Sequence, residues 1–491
     1  MKPNIIFFLT DDQRYDTFGF MGHSQVFTPN IDKLASESAK FNNAFHVAPI
    51  CMPSRASMQL GKYIAQHNCG FDLPTDYTIT TEEYQHSYPV LLRQNGYFTG
   101  FIGKFGFPIA NVKAHNGTRE IHPNSLPEDP YYKPTRNFSE EALAPQYFDV
   151  WNGSPSNLKY FPDKENKFNG YENQWNDDHL TMFNAHQADA FLEKAADSGK
   201  PFMLSVSFKA PHRPHTASPK WVQFYKDMTI KRMDNDKPEY FAVLPEVVRT
   251  HSRNADEYWG GHRYTRKAWN DDATFQHDFR NYYGLISGVD EAVGSIRHKL
   301  DELGLAENTI IIYTSDNGYF CGSKQLGGKE LLYEESIKAP LIIYDPRSKV
   351  GKWVDGLVST VDICPTILAY AGLSKTDEMF GDSVISLIDG QKEEIHDAVY
   401  GENDFNDNYL DIGHHPNPEN YQSIHSKYVR TKNFKYVRYH LCHPIVEEMW
   451  DIHNDPLETT NLVNNPEYRT TLNEMRNLLD TFISETTVSV D

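Results

Sequence analysis

The sequence predicts an α/β protein: a large three-layer α/β/α domain around a mostly parallel central sheet, followed by a smaller C-terminal α+β domain. Three features carry that prediction: short apolar runs without alternation, long helical periodicities between them, and a change of pattern near Gly390. Runs that are apolar at nearly every position mark strands buried on both faces, as in a parallel sheet covered by helices.

Four such runs stand out: Asn4–Thr10 (NIIFFLT), Pro201–Phe208 (PFMLSVSF), Thr309–Ser315 (TIIIYTS) and Pro340–Tyr344 (PLIIY). Helical patterns cover Asp178–Ala196 and Asp272–Leu303, the second with Phe275, Phe279, Ile286, Val289, Val293 and Ile296 at helical spacing. Strands alternating with helices build three layers, and this domain is placed over residues 1–390. Within it, Ala110–Glu172 and His212–Asn270 are rich in Pro, Asn, Asp and aromatic residues and show no clear period. Irregular segments of that length usually carry function, so both are expected to wall a substrate cleft. After Gly390 come short strands at Ala398–Tyr400, Ser426–Arg430, Phe434–Tyr439 and Met449–Ile452, then a turn at Asn454-Asp455-Pro456. A final helix follows Asn465-Pro466, with Tyr468, Leu472, Met475, Leu479 and Phe482 on one face. Residues 391–491 therefore read as a small domain, a short antiparallel sheet with one helix.

The composition narrows the function classes. Over 491 residues, 47 basic side chains face 67 acidic ones, a formal net charge of −20. Nucleic acids and anionic membranes are held by basic patches, so neither is expected as a partner. An anionic small substrate stays possible, because a metal and a few cations in one cleft can outweigh a distant acidic surface. Five cysteines (Cys51, Cys69, Cys321, Cys364, Cys442) are too scattered for a disulfide framework, and no CxxC pair suggests structural zinc. No apolar run approaches the roughly 20 residues that cross a bilayer. The opening MKPNIIFFLTDD reads as a first strand rather than a signal peptide. A periplasmic or secreted location follows if a signal was removed before Met1, and a cytoplasmic one otherwise.

Two polar clusters sit at strand ends. Thr10-Asp11-Asp12 follows the first apolar run, and Ser315-Asp316-Asn317-Gly318 follows the third. Ligands of open α/β sheets bind outside the carboxyl ends of strands, so both clusters point to one crevice. Three carboxylates and an amide oxygen suit a hard divalent cation, calcium or magnesium. Each cluster alone also reads as an Asx turn. A third element is Cys51-Met52-Pro53-Ser54-Arg55: a thiol before a proline that can start a helix, with an arginine one turn on. A helix N-terminus favours negative charge and would activate the thiol, whereas the plain alternative is a buried cysteine beside a cap.

This element resembles the signature Cys/Ser-x-Pro-Ser-Arg of the formylglycine-dependent sulfatases, in the alkaline-phosphatase-like superfamily. The resemblance runs along the chain in family order: NIIFFLTDDQ, CMPSRASMQLGKY, GYFTGFIGKFG, SFKAPHRPH, YTSDNG, GGKELLYEESIKAPLIIY and MWDIHNDPLETTNL. Ordered motifs in context are far more specific than any one of them. The resemblance implies that Cys51 is oxidised to formylglycine by a formylglycine-generating or anaerobic sulfatase-maturating enzyme. It implies that Asp11, Asp12, Asp316 and Asn317 ligate calcium (magnesium being possible), with the modified Cys51 close to the metal. Arg55, Lys104 and Lys329 would hold the formylglycine diol and the sulfate oxygens, and His212 would contact the sulfate and assist the leaving group. Without the resemblance, Lys104 and Lys329 read as solvated loop lysines. In such an enzyme one hydroxyl of the hydrated aldehyde attacks sulfur in line, and collapse of the diol later releases sulfate. Fixed cations stabilise the charge that spreads over the sulfuryl oxygens.

Two departures from the family pattern are visible. The family often reads Gly-Lys-x-His where this chain has Gly103-Lys104-Phe105-Gly106, so the histidine assigned to opening the sulfated enzyme is missing. His46, five residues before Cys51, is either its substitute or a satisfied strand histidine. After Arg55 the family commonly ends Leu-Thr-Gly-Arg, where this chain has Gln59-Leu60-Gly61-Lys62. Arg213 and His215, flanking Pro214 beside His212, are expected at the same crevice as sugar contacts, although His215 also reads as a cap before Ser218-Pro219. The expected substrate is a sulfated carbohydrate, a glycosaminoglycan or algal polysaccharide fragment attacked at a chain end. The alternatives are a phosphonate monoester or phosphodiester hydrolase with the same modified cysteine, or a non-catalytic binder of sulfated glycans.

Overall fold

A run of eight wholly buried residues, Asn4–Asp11, forms the central strand β1 in the computed structural model. The structure describes residues 2–70, 78–110, 144–154, 157–162, 179–251, 266–403 and 423–486. Among the described residues seven more strands complete the main sheet: β2 (Ala39–Phe41), β3 (Phe98–Lys104), β4 (Val150–Ser154), β5 (Phe202–Pro211), β6 (Thr309–Ser315), β7 (Leu341–Tyr344) and β8 (Trp353–Val354). Their order is β8-β2-β7-β6-β1-β5-β3-β4. Only β7 runs against its neighbours β6 and β2; the other pairings are parallel. The predicted mostly parallel sheet is therefore the one observed.

Alternation along β1 divides the core into two halves. Ile6 and Phe8 join one cluster with Phe183 and Phe191, and with Phe279, Ile286 and Val293. Ile5, Phe7 and Leu9 join another with Met58, Tyr88, Leu92 and Ile367. Two faces covered by helices give three layers. Four helices matter below: α1 (Cys51–Leu60), α2 (Leu180–Ser198), α3 (Asp272–Glu302) and α4 (Arg469–Thr486). α3 begins where the sequence indicates, because the Asp271 side chain accepts from Thr274 N at 2.9 Å and caps it. Among the described residues no helix is long and apolar enough to cross a membrane.

Several segments differ from the sequence reading. β3 was not among the apolar runs because glycines break it. A β-carbon at Gly100 would lie 2.3 Å from the Phe191 ring, so close helix packing demands the gap in the pattern. Part of Ala110–Glu172, read as irregular, forms the edge strand β4; residues 111–143, 155–156 and 163–172 of that segment lie outside the described residues. His212–Asn270 contains the short helices Pro219–Tyr225, Pro238–Ala242, Glu246–His251 and Arg266–Trp269, too brief to show a period; residues 252–265 lie outside the described residues.

Beyond Gly390, β9 (Val399–Asn403), β10 (Ser426–Arg430), β11 (Phe434–Tyr439) and β12 (Val446–Asp451) form an antiparallel meander, followed by α4. Leu472, Met475, Leu479 and Phe482 of α4 are buried with Val429, Tyr436 and Met449 in one cluster that also holds Ile50, Met52, Ala56 and Leu60. The C-terminal sheet and helix thus brace the helix that starts at Cys51. The Asp455 turn does similar work elsewhere: Glu458 accepts from Glu334 N at 2.9 Å and pairs with the buried Lys435, tying the tail to the segment after Lys329.

Candidate active site

Pairing along the sheet creates the crevice. Thr10 of β1 lies opposite Ser315 of β6, and Asp316 N donates to Thr10 O at 2.9 Å. The two acidic ends therefore emerge side by side. On the other flank the register slips between Leu9 and Asp11, which sets Asp11 opposite Pro211 and brings the His212 turn alongside. Asp12 adopts a left-handed φ of 65° and its N–H donates to Asp316 Oδ1 at 3.2 Å. Asp11, Asp12, Asp316 and Asn317 are all buried.

α1 delivers the third part of the arrangement. Its first residue is Cys51, and Ile50 before it is extended. Ser54 Oγ donates to Asp316 O at 2.5 Å, pinning the first turn to the end of β6. Arg55, 1% exposed, donates through Nε to Asp316 Oδ2 at 2.7 Å and through Nη1 to Lys104 O and Ser207 Oγ, both at 2.6 Å. Its Nη2 stands 3.6 Å from Asp11 Oδ2 and has no hydrogen-bond acceptor among the described residues. Cys51, Asp11 and Asp316 offer ligand atoms that all lie within 4.8 Å of one another, as do Asp11, Asp12 and His212.

The remaining cations close the ring. Lys104 Nζ reaches Asp11 Oδ2 at 2.5 Å, and Lys329 Nζ reaches Asp12 Oδ1 at 2.5 Å and Asn317 Oδ1 at 3.1 Å. His212 Nε2 stands 3.8 Å from Asp12 Oδ2. Its Nδ1 lies 2.6 Å from Arg213 O, an acceptor only, so the proton sits on Nδ1. Burial alone would raise both leading carboxyls, but Lys104, His212, Lys329 and Arg55 hold Asp11 well below the usual carboxylate range. Lys329, His212 and the Asn317 side chain lower Asp12 as well, against burial and the neighbouring Asp11. Asp316 goes the other way, pushed up to about 6 by burial and by Asp11 despite Arg55. Burial pushes the His212 imidazole down to about 3, with Asp11 and Asp12 opposing.

Asp11 Oδ1 is buried and accepts no hydrogen bond among the described residues, with Lys329 Nζ 3.8 Å away. A buried acceptor left over among three carboxylates, an amide and a sulfur position is what a hard divalent cation requires, so the donor set fits such an ion.

The structure brings Asp11, Asp12, Cys51, Arg55, Lys104, His212, Asp316, Asn317 and Lys329 to this one crevice, although Lys104 and Lys329 taken alone resemble solvated lysines. The others are placed differently. Gly106 has φ +94°, and a β-carbon there would lie 2.6 Å from Arg55 Cδ, so the arginine stem fills the space a histidine side chain would enter. His46 is fully buried, 3.3 Å from Ser315 Oγ, and burial pushes it down to about 3. Arg213 is half-buried beside His212. His215 is only 3% exposed, its ring 5.2 Å from Tyr282 and 5.8 Å from Tyr319. Ser207, Asn157 and Tyr160, which the sequence reading did not single out, also contact Arg55 or His212. For Ser207 a signal existed: Ser205, Ser207 and Lys209 put polar residues at every second position of an otherwise apolar strand.

Comparison with known proteins decides the family. The sulfatase family profile matches residues 3–373. The chain belongs to the sulfatase family. A second profile, the C-terminal region of N-sulphoglucosamine sulphohydrolase, matches residues 322–485. An arylsulfatase of Clostridium perfringens is 28% identical over 98% of this chain and 94% of its own. An N-acetylglucosamine-6-O-sulfatase of Bacteroides thetaiotaomicron is 26% identical over 98% of this chain and 86% of its own. A structure solved in complex with its substrate D-glucosamine-2-N,6-O-disulfate superposes with a TM-score of 0.70 at 22% identity, covering 100% of this chain and 99% of that one. This sulfatase is thus a sulfuric ester hydrolase with the alkaline-phosphatase-like α/β/α fold. Its family works with a formylglycine and a divalent metal, and the buried acidic cluster has the donors for the latter.

Proposed function

We propose that this sulfatase removes sulfate from a sulfated saccharide, using a formylglycine made from Cys51 and a calcium ion held by Asp11, Asp12, Asp316 and Asn317. The observation that carries the reading is the convergence at the start of α1: Cys51 beside Asp11 and Asp316, with the unmatched Asp11 Oδ1 and Arg55 Nη2 at the same buried point. Magnesium would use the same oxygen donors. A maturating enzyme that oxidises Cys51 is the implied partner.

The aldehyde hydrate at position 51 supplies a nucleophile with its own exit, and the metal supplies positive charge beside it. The rest is the work of this chain. Three carboxylates against Arg55, Lys104 and Lys329 are close to neutral, so a divalent ion leaves the crevice positive for a sulfate. Lys104 and Lys329 are held by Asp11 and Asp12 and need not reorganise as charge develops on the sulfuryl oxygens. His212, fixed through Nδ1 to Arg213 O, presents Nε2 toward the site, where as the imidazolium it would donate to the leaving oxygen. A saccharide is favoured by the N-acetylglucosamine-6-O-sulfatase similarity over nearly the whole chain and by the half-buried Arg213 beside His212.

The test is a desulfation screen of fully matured enzyme over defined sulfated monosaccharides and oligosaccharides, with paired aryl sulfate, aryl phosphate and aryl phosphonate esters. Release of sulfate from at least one saccharide at a rate above every phosphorus ester is the expected outcome. Turnover confined to phosphonate or phosphate diesters would replace the reading with the phosphonate hydrolase alternative.

A further inference from the structure

We infer that Tyr160 is a positioning residue for His212, kept in place by Lys209 and His179 packed against its ring. The inference rests on the reading of His212 as the group that contacts the leaving oxygen. Tyr160 is 3% exposed, and its hydroxyl donates to His212 O at 2.6 Å, with Lys209 O at 3.4 Å. Lys209 Nζ stands 4.2 Å from the centre of the Tyr160 ring and donates to Leu158 O at 2.5 Å. The His179 ring lies parallel to Tyr160, 5.0 Å away at 10°.

His179 grips the far end of the same turn. Its Nε2 is 2.9 Å from Thr216 O, an acceptor, so Nε2 carries the proton, while Nδ1 accepts from Thr181 N at 3.3 Å and caps α2. The turn from His212 to Thr216 is therefore held at its first residue by Tyr160 and at its last by His179, and these two rings are stacked on each other. Within the turn the imidazole has little freedom of its own, because Nδ1 is tied to Arg213 O at 2.6 Å. Where the turn sits decides where Nε2 points, and Tyr160 decides where the turn begins. Interactions of this kind act through geometry, and a small misplacement of a catalytic group is costly.

The experiment uses the matured full chain with Y160F, H212A and the double variant, on 4-nitrophenyl sulfate and 4-methoxyphenyl sulfate. Phenylalanine keeps the stacked ring and removes only the hydroxyl, so the thermal midpoint should stay near that of the parent. Y160F should lower kcat about tenfold on the poorer leaving group, 4-methoxyphenol, the scale of one lost oriented hydrogen bond. On 4-nitrophenyl sulfate, which needs little help to leave, the loss should be about twofold or less. KM should be unchanged on both. H212A should show the same selectivity with larger losses, and Y160F should add nothing to it in the double variant. Equal losses from Y160F on both esters beside a selective H212A, or additive losses in the double variant, would overturn the positioning role. Equal losses from H212A itself would overturn the role of His212, and that of Tyr160 with it.

Discussion

Replacing Gly106 is the sharpest test of how the missing family histidine is accommodated. At φ +94°, an alanine there meets two penalties. Left-handed backbone costs a residue with a β-carbon about 1–2 kcal/mol. The new carbon also sits 2.6 Å from Arg55 Cδ and 3.3 Å from Nε, so the arginine stem must move in a closed site. Overpacking of that kind costs about 1–3 kcal/mol. Together the change should destabilise by about 2–5 kcal/mol. An unfolding entropy near 2.1 cal/mol/K per residue makes 1 kcal/mol worth about 1 °C in a chain of this length, so the thermal midpoint should fall by about 2–5 °C. The activity loss should be larger in proportion. Arg55 holds Asp316 at 2.7 Å and Ser207 at 2.6 Å, and a shift of its fork by about 1 Å should cost on the order of 10²-fold in kcat/KM. Gly106→His should fail in the same way rather than improve turnover, because its β-carbon meets the same atoms. Differential scanning fluorimetry and initial rates on 4-nitrophenyl sulfate, with matured Gly106→Ala and parent side by side, make the comparison. A midpoint within about 1 °C and a rate within about twofold of the parent would refute the argument that Arg55 occupies the space.

Three further outcomes are expected. Cys51→Ala and Cys51→Ser should lose turnover while keeping a thermal midpoint near the parent's, since Cys51 opens α1 and only borders the core cluster beneath it; activity above about a tenth of the parent in either would remove Cys51 from the chemistry. Chelation should lower activity and added calcium should restore it, and Asp11→Asn should abolish that restoration; a chelated, metal-free enzyme at full rate would sink the metal assignment. His215→Ala should lower the thermal midpoint by several degrees and reduce kcat alike for a sulfated saccharide and an aryl sulfate, because the ring packs under Tyr282, whose hydroxyl donates to Asp12 O at 2.8 Å. A rise in KM confined to the saccharide would instead make His215 the sugar contact expected from the sequence.

The parts that depend on local pattern are legible in the amino-acid order alone. Asn4–Thr10 and Thr309–Ser315 read as strands buried on two faces because every residue in them is compatible with a covered sheet, and β6 has the expected ends. The carboxylates after these strands, the Cys-x-Pro-Ser-Arg element and the α4 face were legible for the same reason: chemistry and periodicity lie within a few residues of each other. What meets across the chain follows from how distant segments pack. Asp12 N and Asp316 Oδ1 are 304 residues apart in sequence, and Arg55 finds Ser207 across 152, contacts that no local pattern encodes. The histidine spacing around Pro214 suggested two residues facing one cleft; packing against Tyr282 and Tyr319 buries His215, while His212 stays beside Asp12. Glycine at 106 reads in the sequence as a lost catalytic residue. In the folded chain it is the residue that lets Arg55 pass, because a close approach between distant segments depends on their relative placement, which side-chain periodicity does not carry.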